Sequence, residues 1–93
     1  MMELTDLRAQ IDAIDRELVA LLERRIDVAA GVAEYKMAHD LPVLDQGRED
    51  VKMAAIKAMC TPEKADSVAG VFDAILAASR DWQTALMEDG HGA

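Results

Sequence analysis

From Leu4 to Ala38 the chain holds one helical register. Apolar residues fall at Leu4, Leu7, Ile11, Ile14, Leu18 and Leu21, then at Val28, Val32 and Tyr35, in steps of three and four. That spacing lines one face of an α-helix, with Thr5 as a candidate N-cap. About 33 residues at 1.5 Å rise make a rod of roughly 50 Å. A compact chain of 93 residues has a radius of gyration of only about 12 Å. Half of the rod would therefore project into water with its apolar seam bare. A second copy of the chain lying against it removes that exposure, so the sequence predicts an intertwined homodimer with a shared core.

Two shorter helices complete the expected all-α fold. The second starts after Asp45, a candidate N-cap, and runs to about Met59. "TPEK" at Thr61 to Lys64 marks the start of the third: Thr61 as cap, Pro62 at the first helical position and Glu63 in the first turn. This helix extends to about Met87. Pro42 closes the first helical pattern within "HDLPV". No stretch alternates as a strand would. Residues 1–88 read as one helical domain and residues 89–93 as a flexible tail, with no further domain expected after it.

Composition narrows the function. Hydrophobic residues are 52% and charged residues 30%, as in a globular protein. With only Tyr35, Phe72 and Trp82 as aromatics, aliphatic side chains must fill the core. A net charge of -8 argues against a nucleic-acid surface but leaves room for a local cationic site. The lone Cys60 can close no internal disulfide, which fits a reducing cytoplasm. No leader and no apolar run of roughly 18 residues is present, so neither a membrane span nor export is expected.

One step of the apolar series lands on Arg25. Lys36 lies eleven residues on, so it shares that face within about 20° and sits roughly 16 Å along the axis. Ala29 and Ala33 leave room between the two. A charge on such a seam needs an anionic partner, either an acidic side chain of another helix or a ligand. Arg16 and Arg24 fall off the seam and read as solvated. Arg8 is about 25 Å from Arg25 along the same rod and can approach only the Arg25 of a second chain.

In the second helix Arg48 and Glu49 are adjacent and point about 100° apart, which reads as an ordinary charged first turn. The inward face of the third runs Val68, Val71 or Phe72, Ile75, Ser79, Trp82 or Gln83, and Leu86. A serine can satisfy itself on the preceding turn. A buried Gln83 needs a partner, and its N–H can serve a ligand oxygen. Nothing supports nucleophilic, metal-dependent or cofactor-dependent chemistry: there is no phosphate loop, no HExxH, no metal-ligand spacing and no base beside Cys60. His39 and His91 read as solvated.

The ordered set "LRAQIDAIDRELVALLERR", "VAEYK", "LPVLDQGRED" and "ILAASRDWQ" resembles the small all-helical chorismate mutases over nearly the whole chain. The resemblance implies an intertwined dimer of three-helix chains with two equivalent sites. It also implies an isomerase of the shikimate pathway serving aromatic amino acid biosynthesis, with no cofactor and no metal. By the same resemblance, Arg8 of the neighbouring chain grips one substrate carboxylate and Arg25 the other. Lys36 holds a carboxylate and reaches the ether oxygen, to which Gln83 also donates. Arg48 supports the carboxylate cluster, Glu49 accepts from the ring hydroxyl with the backbone of Asp45 nearby, and Ser79 touches the ring carboxylate. Gly31 inside the first helix and Gly47 at the start of the second weaken the pattern locally. Three alternatives stay open: an isochorismate pyruvate-lyase, a mutase of an amino analogue of chorismate, and a non-enzymatic helical dimerisation module. The last would require Arg25, Lys36 and Gln83 to be paired internally with acidic groups.

Overall fold

The computed structural model describes residues 2–91; Met1, Gly92 and Ala93 lie outside them. The chain forms α1 (Leu4–Ala38), α2 (Gln46–Met59) and α3 (Ala65–His91), with a single 3₁₀ turn at Pro62–Lys64 before α3. Among the described residues there is no strand. No helix is long and apolar enough to cross a membrane.

α1 starts two residues earlier than the expected Thr5 cap. Glu3 is the N-cap and makes no side-chain cap bond, while Thr5 lies inside the first turn. The opening backbone bond runs from Leu7 N–H to the Glu3 carbonyl at 3.1 Å, and Asp6 places a negative charge at the positive end of the helix dipole. The other end closes on a left-handed residue, Asp40, with φ 52. Leu41 N–H reaches the Lys36 carbonyl at 2.9 Å and Asp40 N–H the Met37 carbonyl at 3.4 Å. These are the two bonds of a Schellman cap. The cap fixes Lys36 at the last helical carbonyls and turns the chain towards α2.

α2 begins as expected. Asp45 is its N-cap and accepts from the Arg48 backbone N–H at 3.0 Å, which fixes the first turn despite Gly47. The third start signal needs correcting. Thr61 caps nothing with its side chain, and Pro62 to Lys64 wind as a 3₁₀ turn before the α-helix proper. α3 then runs four residues beyond Met87 to His91, so residues 89–91 of the expected tail are helical and Gly92 and Ala93 lie outside the described residues.

α3 packs against both other helices and is the centre of the chain. It resolves the two ambiguities in its own face. Phe72 is half-buried and Val71 exposed; Gln83 is buried and Trp82 exposed. Against α3, α1 presents not the long seam but Ala29 and Ala33, both buried. Their small side chains let the helix axes approach closely. Among the described residues the buried apolar set is small: Ala29, Ala33, Ile56 and Ala69.

The long seam stays bare. Leu7 is 43% exposed, Ile11 and Ile14 55% and Leu18 49%. The radius of gyration is 16.8 Å and the longest extent 57 Å, against about 12 Å expected for a compact chain of this length. Uncovered apolar area of this extent marks an interaction surface.

Gly31 sits mid-helix with nothing within 4 Å of where a Cβ would stand. Gly31→Ala should stabilise the fold by about 0.5–1 kcal/mol by restricting the unfolded chain. Thermal unfolding should report this as a Tm raised by a few degrees; a lowered Tm would mean that the position packs against something else.

Candidate active site

Three helical stripes face one another. From α1 come Arg25, Val28, Ala29, Val32 and Lys36; from the start of α2 come Asp45, Arg48, Glu49 and Lys52; from α3 come Leu76, Ser79, Arg80 and Gln83. Each stripe steps by three and four residues, so each is one face of its helix. Together with Val43 of the connection they enclose a cavity of about 300 Å³, at the lower end for small-molecule pockets. Five cationic side chains line it against two carboxylates. In a chain of net charge -8, that is a local reversal of sign suited to an anionic ligand.

The sequence-derived set is largely brought together. Arg25, Lys36, Asp45, Arg48, Glu49, Ser79 and Gln83 all line this cavity. Arg8 does not; it is exposed, near the far end of α1. Ala29 forms part of the wall, whereas Ala33 is 0% exposed and is packed away rather than left as room.

The polar centre is a chain of three side chains. Lys36 Nζ donates to the Val43 carbonyl at 2.5 Å and to Gln83 Oε1 at 3.0 Å. Gln83 Nε2 donates to Ser79 Oγ at 3.1 Å. An ammonium can only donate, so the amide oxygen must face Lys36 and the amide nitrogen must face Ser79. Gln83 is 7% exposed, and this network satisfies it. The donors are not exhausted. Lys36 has three N–H groups with two committed, and Gln83 has two with one committed. One N–H of each remains, on groups held side by side. Ser79 Oγ accepts from Gln83, which leaves its own O–H to donate.

Among the described residues the one ion pair joins Arg80 Nη1 to Glu49 Oε1. Among those residues Arg25 and Lys36 therefore have no carboxylate partner, and Gln83 bonds only to Lys36 and Ser79. The internal pairing that a purely structural module requires is missing. Glu49 is held by α3, not by its neighbour Arg48. The sequence reading missed Arg80, Lys52 and the Val43 carbonyl. The first two were accessible: Arg80 completes the series Leu76, Ser79, Gln83, and Lys52 completes Asp45, Arg48, Glu49. The carbonyl carried no sequence signal.

A second cavity of about 360 Å³ opens along the groove between α1 and α3, walled by Leu18, Leu21, Leu22, Val68, Phe72 and Ile75. Arg25 borders both cavities, so whatever fills the apolar groove lies beside the cationic one.

Among the described residues, the cavity gathers cations without carboxylate partners around a buried glutamine, an arrangement suited to a small anion. The profile of the chorismate mutase type II family matches residues 7–84, and the chain belongs to that family. It is 44% identical over 46 residues to the 4-amino-4-deoxychorismate mutase of Streptomyces venezuelae, a match covering 50% of this chain and 45% of that one. It is 34% identical over 76 residues to the T-protein of Haemophilus influenzae, covering 82% of this chain and 20% of that protein. With the chorismate mutase of Methanocaldococcus jannaschii it shares 27% identity over 89 residues, covering 94% and 90%. The chain thus spans under half of the first relative and a fifth of the second. No solved structure matches it.

Proposed function

We propose that this chain is a chorismate mutase. It converts chorismate to prephenate in two equivalent sites of a homodimer, each completed by the partner's Arg8. The observation that carries the reading is the pair of unspent donors on Lys36 and Gln83, set in a cavity rich in cations. A Claisen rearrangement is unimolecular: the ether C–O bond breaks as the enolpyruvyl methylene bonds to the ring, and no proton is exchanged. It therefore needs no base, nucleophile or cofactor. A protein can accelerate it by holding the folded near-attack shape and by stabilising the negative charge that gathers on the ether oxygen.

The roles divide accordingly. Arg25 and the partner's Arg8 hold the two carboxylates and fix the shape, with Arg48 behind them and the Ser79 hydroxyl on the ring carboxylate. Lys36 and Gln83 direct their remaining N–H groups at the ether oxygen. Glu49 accepts from the ring hydroxyl beside the backbone of Asp45. The groove at Leu18, Leu21 and Phe72 receives the bare seam of the partner's α1, which buries both apolar surfaces at once.

A second reading is favoured by the match to the Streptomyces enzyme, whose substrate carries an amino group in place of the ring hydroxyl. Purified protein should be assayed separately with chorismate, isochorismate and 4-amino-4-deoxychorismate. Rearrangement of chorismate with the largest kcat/KM is expected. Release of pyruvate from isochorismate, or preference for the amino compound, would replace this assignment.

A further inference from the structure

Among the described residues, Arg80 is the one cation of the cavity that is paired with a carboxylate. It reaches from α3 across to α2 and donates to Glu49 Oε1. The side chains are 34% and 19% exposed, so the pair lies at the wall of the cavity, and both residues line it. Its effect on Glu49 is chemical as well as positional. One carboxylate oxygen is taken by the guanidinium, and the other remains an acceptor. The charge of Glu49 is at the same time largely cancelled by its partner.

We infer that Arg80 is a specificity-determining residue for the ring substituent of the substrate: by holding Glu49 in an ion pair, it makes this end of the cavity select a neutral hydroxyl over an ammonium group. The inference rests on the reading of the cavity as a chorismate site. A hydroxyl needs only one acceptor and brings no charge, and the free oxygen of Glu49 supplies it. An ammonium on that free oxygen would bring a second cation to a carboxylate that already holds the Arg80 guanidinium, at partly desolvated range. Without Arg80, Glu49 becomes an uncompensated carboxylate that attracts an ammonium directly. The same acidic residue thus serves either substituent, and its partner on α3 decides which.

The test compares kcat/KM for chorismate and for 4-amino-4-deoxychorismate in the wild-type dimer, in Arg80→Met and in Arg80→Lys. The wild type should prefer chorismate. Arg80→Met should shift the ratio of the two values towards the amino compound by roughly tenfold or more, and Arg80→Lys should keep most of the preference. If Arg80→Met does not fold, Arg80→Gln tests the same loss of charge. In a Glu49→Gln background, Arg80→Met should leave the ratio unchanged, because the carboxylate through which it acts is gone. A merely structural Arg80 would lower both activities and leave the ratio where it was, and that result overturns the inference while sparing the proposed reaction. A wild-type protein that rearranges neither compound withdraws both.

Discussion

Arg8→Ala and Arg25→Ala should each be close to inactive as pure dimers, and an equal mixture of the two should recover about a quarter of wild-type activity. The geometry dictates both numbers. In the proposed site each substrate carboxylate loses its guanidinium in one variant, and truncating one member of a desolvated charge pair costs about 2–5 kcal/mol, or roughly 30- to 4,000-fold in kcat/KM. Arg25 lines the cationic cavity and Arg8 does not reach it in its own chain. In the proposed dimer each site takes Arg25 from one chain and Arg8 from the other. A mixed dimer then carries both lesions in one site and none in the other. Random exchange makes half of the dimers mixed, each with one working site of two. The measurement is a steady-state assay after subunit exchange verified with tagged chains. Proven exchange with no recovered activity would place Arg8 outside the site and undo the shared-site architecture.

The length of α1 is what makes such sharing the proposed arrangement. A helix of 35 residues is about 52 Å long, and only its C-terminal half meets α3 near the cavity. Its N-terminal half carries Leu7, Ile11, Ile14 and Leu18 exposed. In the proposed dimer this exposed half-rod would lie in the apolar groove of the partner.

Legibility in the sequence followed the same division. Period-3.6 patterning gave three helices, and the Asp45 cap was placed because an acidic side chain before a helix has one strong use. The beginnings of α1 and α3 were less legible. Thr5 and Thr61 have capping chemistry, but neither caps here, since exposed N–H groups can be satisfied by water. Within the site, residues on one helix stripe could be assembled from spacing. On α1, Leu21, Val28 and Tyr35 mark the exposed seam, whereas the residues the single chain buries are Ala29 and Ala33 beside it. An exposed seam and a face packed within the chain are both helical stripes, and a single sequence does not say which stripe the chain itself will bury. Contacts across elements were beyond reach for a related reason. Arg80 with Glu49 depends on how α2 and α3 settle against each other, and Lys36 with Val43 on how the connection after α1 turns back; helical spacing gives neither.

The ether oxygen offers the sharpest test. Gln83→Ala removes one donor and leaves the carboxylate grips in place, so kcat should fall by about 10² to 10³ with a smaller change in KM. Lys36→Ala should fall further, because it removes a charge and strips Gln83 Oε1 and the Val43 carbonyl of their donor. Gln83→Glu separates charge from shape. As a carboxylate it repels the developing negative charge; protonated, it can donate as the amide does. Activity should therefore rise as pH falls. Two forces set where. Burial at the Gln83 position favours the neutral acid and raises its pKa, while the Lys36 ammonium at 3.0 Å favours the carboxylate and lowers it. A bound dianion adds negative charge nearby and raises it again. The profile of kcat reports the substrate complex and that of kcat/KM the free enzyme. The midpoint in kcat should thus lie at higher pH than the midpoint in kcat/KM. Both should be followed from about pH 4.5 to 8, starting just above the ordinary glutamate value of about 4.3. A flat profile at wild-type level would mean that position 83 does not meet the ether oxygen, and the electrostatic half of the mechanism would have to be withdrawn.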